Sequence, residues 1–320
     1  MFPLRATVPT AAELRTLFAA SRRQTDIDAD SIAAELDDTG PDAALLDLVA
    51  EPFSSVDDVA DRLSRTETHL RERADRRAVF LTVYTRMTEA VAAAIDAGVF
   101  ADPEWVSTYL VTFADQYRQA LAAFERREFG SLPRPWLLAF AAAVRGDTLV
   151  AQDALLGINA HINYDLTYTL RAVGIDPDRS RKHTDHDRIN DVLARLVATV
   201  QETLVAMYDA AGVAGVDAVF DPLDDRLALR GLERSRLFAW RNAVLLADFP
   251  SWIGRRYVGW RTRSVSTGAA VLLLSPQIDP AVRRRLTAAE TTISTPAAFV
   301  DAFADHVPST LPGDRADGAD

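Results

Sequence analysis

Apolar residues recur at intervals of three and four along most of this chain, and that spacing is helical. Ala11–Arg22 and Pro41–Val49 read as short helices. Pro52–Ser55 interrupts the pattern, and Ser55 followed by Asp57 and Asp58 reads as a helix start. A long helix is predicted from about Glu67 to Ala97, with Val79, Val83, Met87, Val91 and Ile95 on one stripe, closed by Gly98. Asp102–Pro103–Glu104 supplies an N-cap, a proline at the first helical position and an acid in the first turn. The helix it opens carries the stripe Trp105, Tyr109, Phe113, Tyr117, Leu121 and Phe124. Gly130–Pro135 breaks the chain again before a short apolar helix, Trp136–Val144.

The second half continues in the same period. A helix over about Leu149–Ala172 is closed by Gly174 and Pro177, and Ile175–Thr184 reads as a polar loop. A long helix from about Asp185 to Ala210 turns Ile189, Leu193, Leu196, Val200, Leu204 and Met207 inward. Gly212–Arg230 is loop-like, and helices Leu232–Ala247 and Trp252–Leu274 follow. A charged helix (Ala281–Glu290) and an acidic tail end the chain. Alternating β-branched runs closed by Asn-Gly or Asp-Gly turns are missing. The fold class is therefore all-α, a multi-helix bundle mixing orthogonal and up-down packing, with no significant sheet. Residues 1–52 read as an N-terminal helical extension, 53–295 as the bundle domain and 296–320 as a flexible tail.

Composition narrows the chemistry. Cysteine is absent, which removes disulfides, thiolate nucleophiles and Cys-ligated metals. A net charge of −11 disfavours non-specific nucleic-acid binding. Arginine outnumbers lysine 34 to one (Lys182), and aspartate outnumbers glutamate 34 to 12. An acidic surface nearly free of lysine suits a salt-rich, halophilic cytoplasm, where screening limits self-repulsion. The longest apolar run, Gly268–Leu274 extended by Val265, is far shorter than a membrane span, and Met1–Arg15 shows no apolar h-region or small-residue cleavage site of a targeting segment. The expected location is the cytoplasm.

One run departs from the apolar background. Leu156–Gly157–Ile158–Asn159–Ala160–His161–Ile162–Asn163–Tyr164–Asp165–Leu166 places two asparagines, a histidine and an aspartate in a core-facing helix. Polar groups there are costly unless partnered, so the run is either a packing network or a site. At 100° per residue, Leu155, Ile158, Ile162 and Leu166 form the apolar stripe. His161 and Asp165 lie along one border, Asn159 and Asn163 along the other. His161 with Asp165 can act as an oriented acid–base couple or as two ligands of a divalent metal. Further ligands would have to come from His183–Asp187, and His186 and Asp187 are the candidates; Asn190 borders the same inward stripe. The structural alternative is that the pair and the asparagines only brace neighbouring helices, with Asp185 and Asp187 as ordinary helix-start acids. P-loop, G-x-S-x-G, H-E-x-x-H and paired E-x-x-H motifs are absent in usable context.

The same residues resemble a known family. The central run, together with Phe100–Ala101–Asp102 and Trp105, Phe113–Ala114–Asp115–Gln116–Tyr117–Arg118–Gln119–Ala120, Trp136, Asp187–Arg188–Ile189–Asn190 and Trp240, is similar to domain-of-unknown-function family 5995 over about residues 70–250. The family has no assigned activity to carry over. The resemblance implies that His161, Asn163 and Asp165 are its most distinctive polar positions. Ile158 stands where a methionine is expected, a volume-conserving difference.

These readings converge on a soluble helical enzyme with a small-molecule substrate. His161, Asp165 and Asn163 are the candidate catalytic residues, and Asn159, Tyr117, Trp136, Asn190 and Trp240 the candidate pocket lining. A divalent metal held by His161, Asp165, His186 and Asp187 would make the chemistry metal-assisted hydrolysis; without it the couple performs acid–base chemistry. The rivals are a small-molecule or lipid-binding module, with apolar ligand packed on Tyr117, Trp136 and Trp240, and a protein whose polar run only specifies packing.

Overall fold

Ser55, Asp102 and Ser251 each turn a side-chain oxygen onto the backbone N–H three residues on, and so open three of the helices. In the computed structural model the described residues are 11–23, 25–36, 40–210 and 225–275 with Arg284 and Ala288, residues 195–210 and 225–230 by backbone alone. They form α1 (Ala11–Ser21), α2 (Ala29–Glu35), α3 (Ala43–Leu48), α4 (Val56–Glu72), α5 (Arg77–Asp96), α6 (Pro103–Glu125), α7 (Arg134–Arg145) and α8 (Val150–Ala160). A π-helical turn (His161–Asp165) joins α8 to α9 (Leu166–Val173). α10 (Arg179–Ala210), α11 (Asp225–Asp248) and α12 (Trp252–Leu274) complete the set. No strand occurs among the described residues, and the fold is all-α. The loop residues 212–224, the 281–290 helix apart from Arg284 and Ala288, and the 296–320 tail lie outside the described residues.

Two rods organise the bundle. α5 packs against α4, α6, α7, α8 and α10, and the α8–π–α9 rod is wrapped by α5, α6, α7, α11 and α12. α5 is long and apolar enough to cross a membrane, and 67% of its apolar window is buried inside the protein, as expected of a central core helix. Residues of the N-terminal extension share this core: Ala20, Ile32, Leu45 and Val49 belong to the same buried cluster as Leu81, Leu121 and Leu166.

Three predicted boundaries move. The helix expected over Glu67–Ala97 is two, α4 and α5, hinged where Ala74 takes the left-handed conformation at φ 52°. Asp75 there accepts from the Arg77 N–H and guanidinium, and Arg77 also pairs with Glu125 at 2.8 Å, so the break is stitched by a buried ion pair. Apolar periodicity runs through it because each helix keeps its own inward stripe. α10 begins at Arg179, not Asp185, so half of the expected loop is helical. Asp185, expected as a helix-start acid, is fully buried within α10 and accepts from the N–H groups of Ala101 and Asp102 at 2.9 and 2.7 Å. It satisfies backbone donors ahead of α6, a different helix. α11 likewise begins at Asp225, ahead of Leu232.

α1 lies along α12 at a point where Gly268 carries no side chain. A Cβ there would fall 2.1 Å from the Leu17 carbonyl oxygen, which cannot move without shifting α1. Gly268→Ala is expected to lower stability by about 1–3 kcal/mol. Urea unfolding of the two proteins measures this, and an unchanged midpoint would mean that α1 is not docked there.

Candidate functional site

The polar run sits on the buried rod. Its α-helical hydrogen bonding gives way at His161–Asp165 to a π turn in which the Leu166 N–H donates to the His161 carbonyl. Single π turns inside α-helices recur at functional sites because they re-aim side chains without ending the helix. Here burial does not follow the expected stripe alone, although Ile162 and Leu166 on it are buried. His161 (1% exposed) and Asp165 (2%) are deeply buried, while Leu155 and Ile158 are only half-buried.

Asp165 Oδ2 accepts two bonds, from His161 Nδ1 and from the indole Nε1 of Trp136, each at 2.9 Å. With Nδ1–H committed to the carboxylate, the imidazole's lone pair lies on Nε2. That nitrogen is buried and has no hydrogen-bond partner. The ring is clamped by aromatics: Phe113 stacks on it with centroids 3.6 Å apart, and Tyr84 meets it edge-on at 4.5 Å. Gly157 makes room for this cage, since a Cβ there would fall 2.2 Å from Phe80 Cγ.

His161 forms part of the wall of an apolar cavity of about 70 Å³, together with Tyr84, Met87, Phe113, Ile158, Leu193 and Arg236. Asp165 faces the other way. With Trp136 it lies at the base of a larger, more polar hollow bordered by Gln116, Arg118, Tyr164 and Tyr168. The couple therefore stands between an inner apolar space and an outer polar one. Burial holds the His161 imidazole below its ordinary pKa, against the pull of Asp165, so the ring is neutral at neutral pH. Burial likewise raises the Asp165 carboxyl, against the bonds from His161 and Trp136.

The other predicted residues separate from this centre. Asn163 donates to Asn159 and Asn159 donates to the Ser266 carbonyl, each at 2.9 Å, so the asparagines brace the rod against α12. Asn163 borders a different hollow, with Glu13, Arg234 and Phe238. Tyr117 and Trp136 are buried behind His161, and neither lines the apolar cavity; the Tyr117 hydroxyl has no partner. Trp240 packs on His183 and His186, with centroids 4.8 and 5.2 Å away. Asn190 accepts from Arg236 Nε at 2.7 Å.

The proposed metal set is not assembled. His186 is fully buried, with Nδ1 accepting from the Tyr109 hydroxyl at 3.1 Å and Nε2 donating to the Arg236 carbonyl at 3.3 Å, which leaves no lone pair for a metal. Asp187 pairs with His183 at 3.2 Å near the surface. Among the described residues no three His, Asp or Glu side chains converge as ligands. His161 pairs with Asp165 while His186 and Asp187 are committed to other partners, so the four do not converge on one ion.

Sequence reasoning missed Phe80, Tyr84 and Arg236. Gly157, an isolated glycine inside a helix, was the available signal that an aromatic side chain approaches closely. Arg236 carried no signal, because its burial depends on the packing of α11 against α10.

The pKa of His186 is held well below 6.5 by burial, then by Arg236 and His183. Below pH 6.5 the unfolded chain takes up a proton that the folded protein refuses, so stability is lost as pH falls. Each such histidine contributes a slope of up to about 1.4 kcal/mol per pH unit. His186→Gln is expected to flatten the dependence of folding stability on pH between 6.5 and 5. The wild type and variant are compared by denaturant unfolding at each pH, so the opposing contribution of raised carboxyls cancels; parallel curves would contradict the assignment.

Compared with known proteins, residues 56–276 match the family described as "Family of unknown function (DUF5995)". No curated protein and no solved structure matches the chain.

Proposed function

The chain belongs to DUF5995, a family of unknown function, and from that premise we propose that it is an acid–base enzyme whose proton-transfer group is His161. The observation that carries this reading is the orphan Nε2 of a buried imidazole whose other nitrogen is tied to a carboxylate. A buried acceptor without a partner costs about 1–3 kcal/mol. A histidine retained only for packing gains nothing from that arrangement, whereas a base requires it.

In this reading a small substrate with an apolar body occupies the cavity and presents an acidic proton to Nε2. His161 removes the proton and becomes imidazolium, Asp165 stabilises the new charge through the Nδ1–H bond, and the proton is returned to the product. Trp136 is a positioning residue: its indole N–H fixes the carboxylate that orients the ring. Phe113 and Tyr84 hold the imidazole plane. The groups that converge support proton transfer more directly than metal-assisted hydrolysis, since His186 and Asp187 are engaged elsewhere.

Two measurements test this. Long-range nitrogen–proton NMR on labelled protein should find His161 neutral at pH 7 with its proton on Nδ1; a proton on Nε2 would overturn the proposal. In deuterium oxide, the protein should catalyse deuterium wash-in next to the carbonyl of small apolar ketones and acids. His161→Gln is expected to lower that rate about 10²–10⁴-fold.

A second reading, an apolar-ligand binding module, is favoured by the nearly uninterrupted hydrocarbon of the cavity wall. Met87→Trp, which fills that space, should then abolish binding of a short-chain fatty alcohol, while His161→Gln leaves it unchanged. Calorimetric titration of both variants distinguishes the two readings.

A further inference from the structure

Exposed large apolar side chains are concentrated at one place. Phe249 (64% exposed), Trp252 (68%), Ile253 (61%), Tyr257 (49%) and Trp260 (43%) all lie where α11 turns into α12. The only other residues of this kind among those described, Val99 and Val144, are scattered. Single exposed apolar residues are ordinary, but a contiguous aromatic patch marks an interaction surface.

The patch has a helical geometry. At 100° per residue, Trp252, Arg256, Trp260 and Arg263 fall within about 80° of one another, and Ile253 and Tyr257 widen the face to about 140°. Val258, Thr262 and Val265 point to the opposite side and are buried. The corner is rigid. Ser251 caps the Gly254 N–H at 3.2 Å, and the Phe249 carbonyl comes within 2.2 Å of where a Gly254 Cβ would be. Phe249, Trp252 and Ile253 are thereby held together at the exposed corner.

Charge identifies the occupant. α12 contains Arg255, Arg256, Arg261 and Arg263 and no Asp or Glu, in a chain whose net charge is −11. Arg261 is turned inward over the Phe238 ring, 4.5 Å from its centroid. Arg255, Arg256 and Arg263 are exposed among the aromatics. An exposed corner of Trp, Phe, Ile and Tyr edged with arginine matches the headgroup–acyl boundary of an anionic bilayer. Indole and phenol rings favour that depth, and arginine reaches back from it to phosphate. We propose that the α11–α12 corner docks this protein on an anionic membrane surface, with Phe249, Trp252 and Ile253 inserted and Arg255, Arg256 and Arg263 on the lipid phosphates.

The experiment uses the full chain at the lowest salt at which circular dichroism reports the folded protein. Co-sedimentation with phosphatidylglycerol vesicles is compared with phosphatidylcholine vesicles. Brominated phosphatidylglycerol is used to quench tryptophan fluorescence. Association is expected with phosphatidylglycerol only, with quenching. Arg255→Gln with Arg256→Gln should weaken it about 30-fold. Trp252→Ser with Ile253→Ser should weaken it at least tenfold and remove most of the quenching. Both pairs are exposed and should leave the circular dichroism unchanged. No association, equal association with both lipids, or association untouched by Trp252→Ser with Ile253→Ser would overturn the proposal. So would a dimer that Trp252→Ser disperses in sedimentation, which would make a second copy of the chain the occupant.

Discussion

The Asp165 carboxylate is the constraint on which the centre of this protein depends. A carboxylate 2% exposed in a cage of aromatic rings is tolerable only if donors reach it. Two do, from different elements: the indole of Trp136 on α7 and the imidazole of His161 one turn earlier on its own rod. Hydrogen bonds to a charged group contribute about 1.5–3 kcal/mol each, and they are directional. They therefore fix the distance and rotation of α7 relative to the π turn. Phe113 on α6 and Tyr84 on α5 then close on the imidazole, so four helical elements meet around one ion-bearing side chain.

Two histidines are buried among the described residues, and the contrast between them is chemically instructive. His186 has both nitrogens engaged, by Tyr109 and the Arg236 carbonyl, and its role is to tie α10 to α6 and α11. His161 has one nitrogen engaged and the other bare. Burial lowers the proton affinity of both, but only His161 keeps a lone pair for a visitor. The apolar cavity is walled by His161, and also by Arg236 and Tyr109, which bond His186. A satisfied network thus supports one wall and an unsatisfied couple forms part of the other.

α12 serves two purposes along its length. Its inner part uses Thr262, Ser266 and Gly268, small enough for α1 and the α8–π–α9 rod to approach closely, and Ser266 receives the asparagine brace. Its outer part carries the exposed aromatics and arginines. The division follows from side-chain size: close helix packing excludes large rings, and of the exposed aromatics Trp260 meets α1 through the Phe18 ring at 4.7 Å.

Much of this was readable in the chain, because local chemistry decides it. The helical period, the caps at Ser55 and Asp102, and the aromatic stripe on α6 depend on neighbours three or four residues away. So does the pairing of His161 with Asp165, which needs only i, i+4 spacing on one rod. Other outcomes depended on residues far apart in sequence. Whether Trp136 would find Asp165, whether Asp185 would serve α10 or the distant head of α6, and whether His186 would be free for a ligand were decided by docking of whole helices. The π turn was decided there too, since shifting the register by one residue is worthwhile only when buried partners wait on the far side. Hydrophobic spacing determines which faces of a helix go inward. It carries no information about which inward faces meet, and the destination of each polar group buried between them was settled by tertiary packing alone.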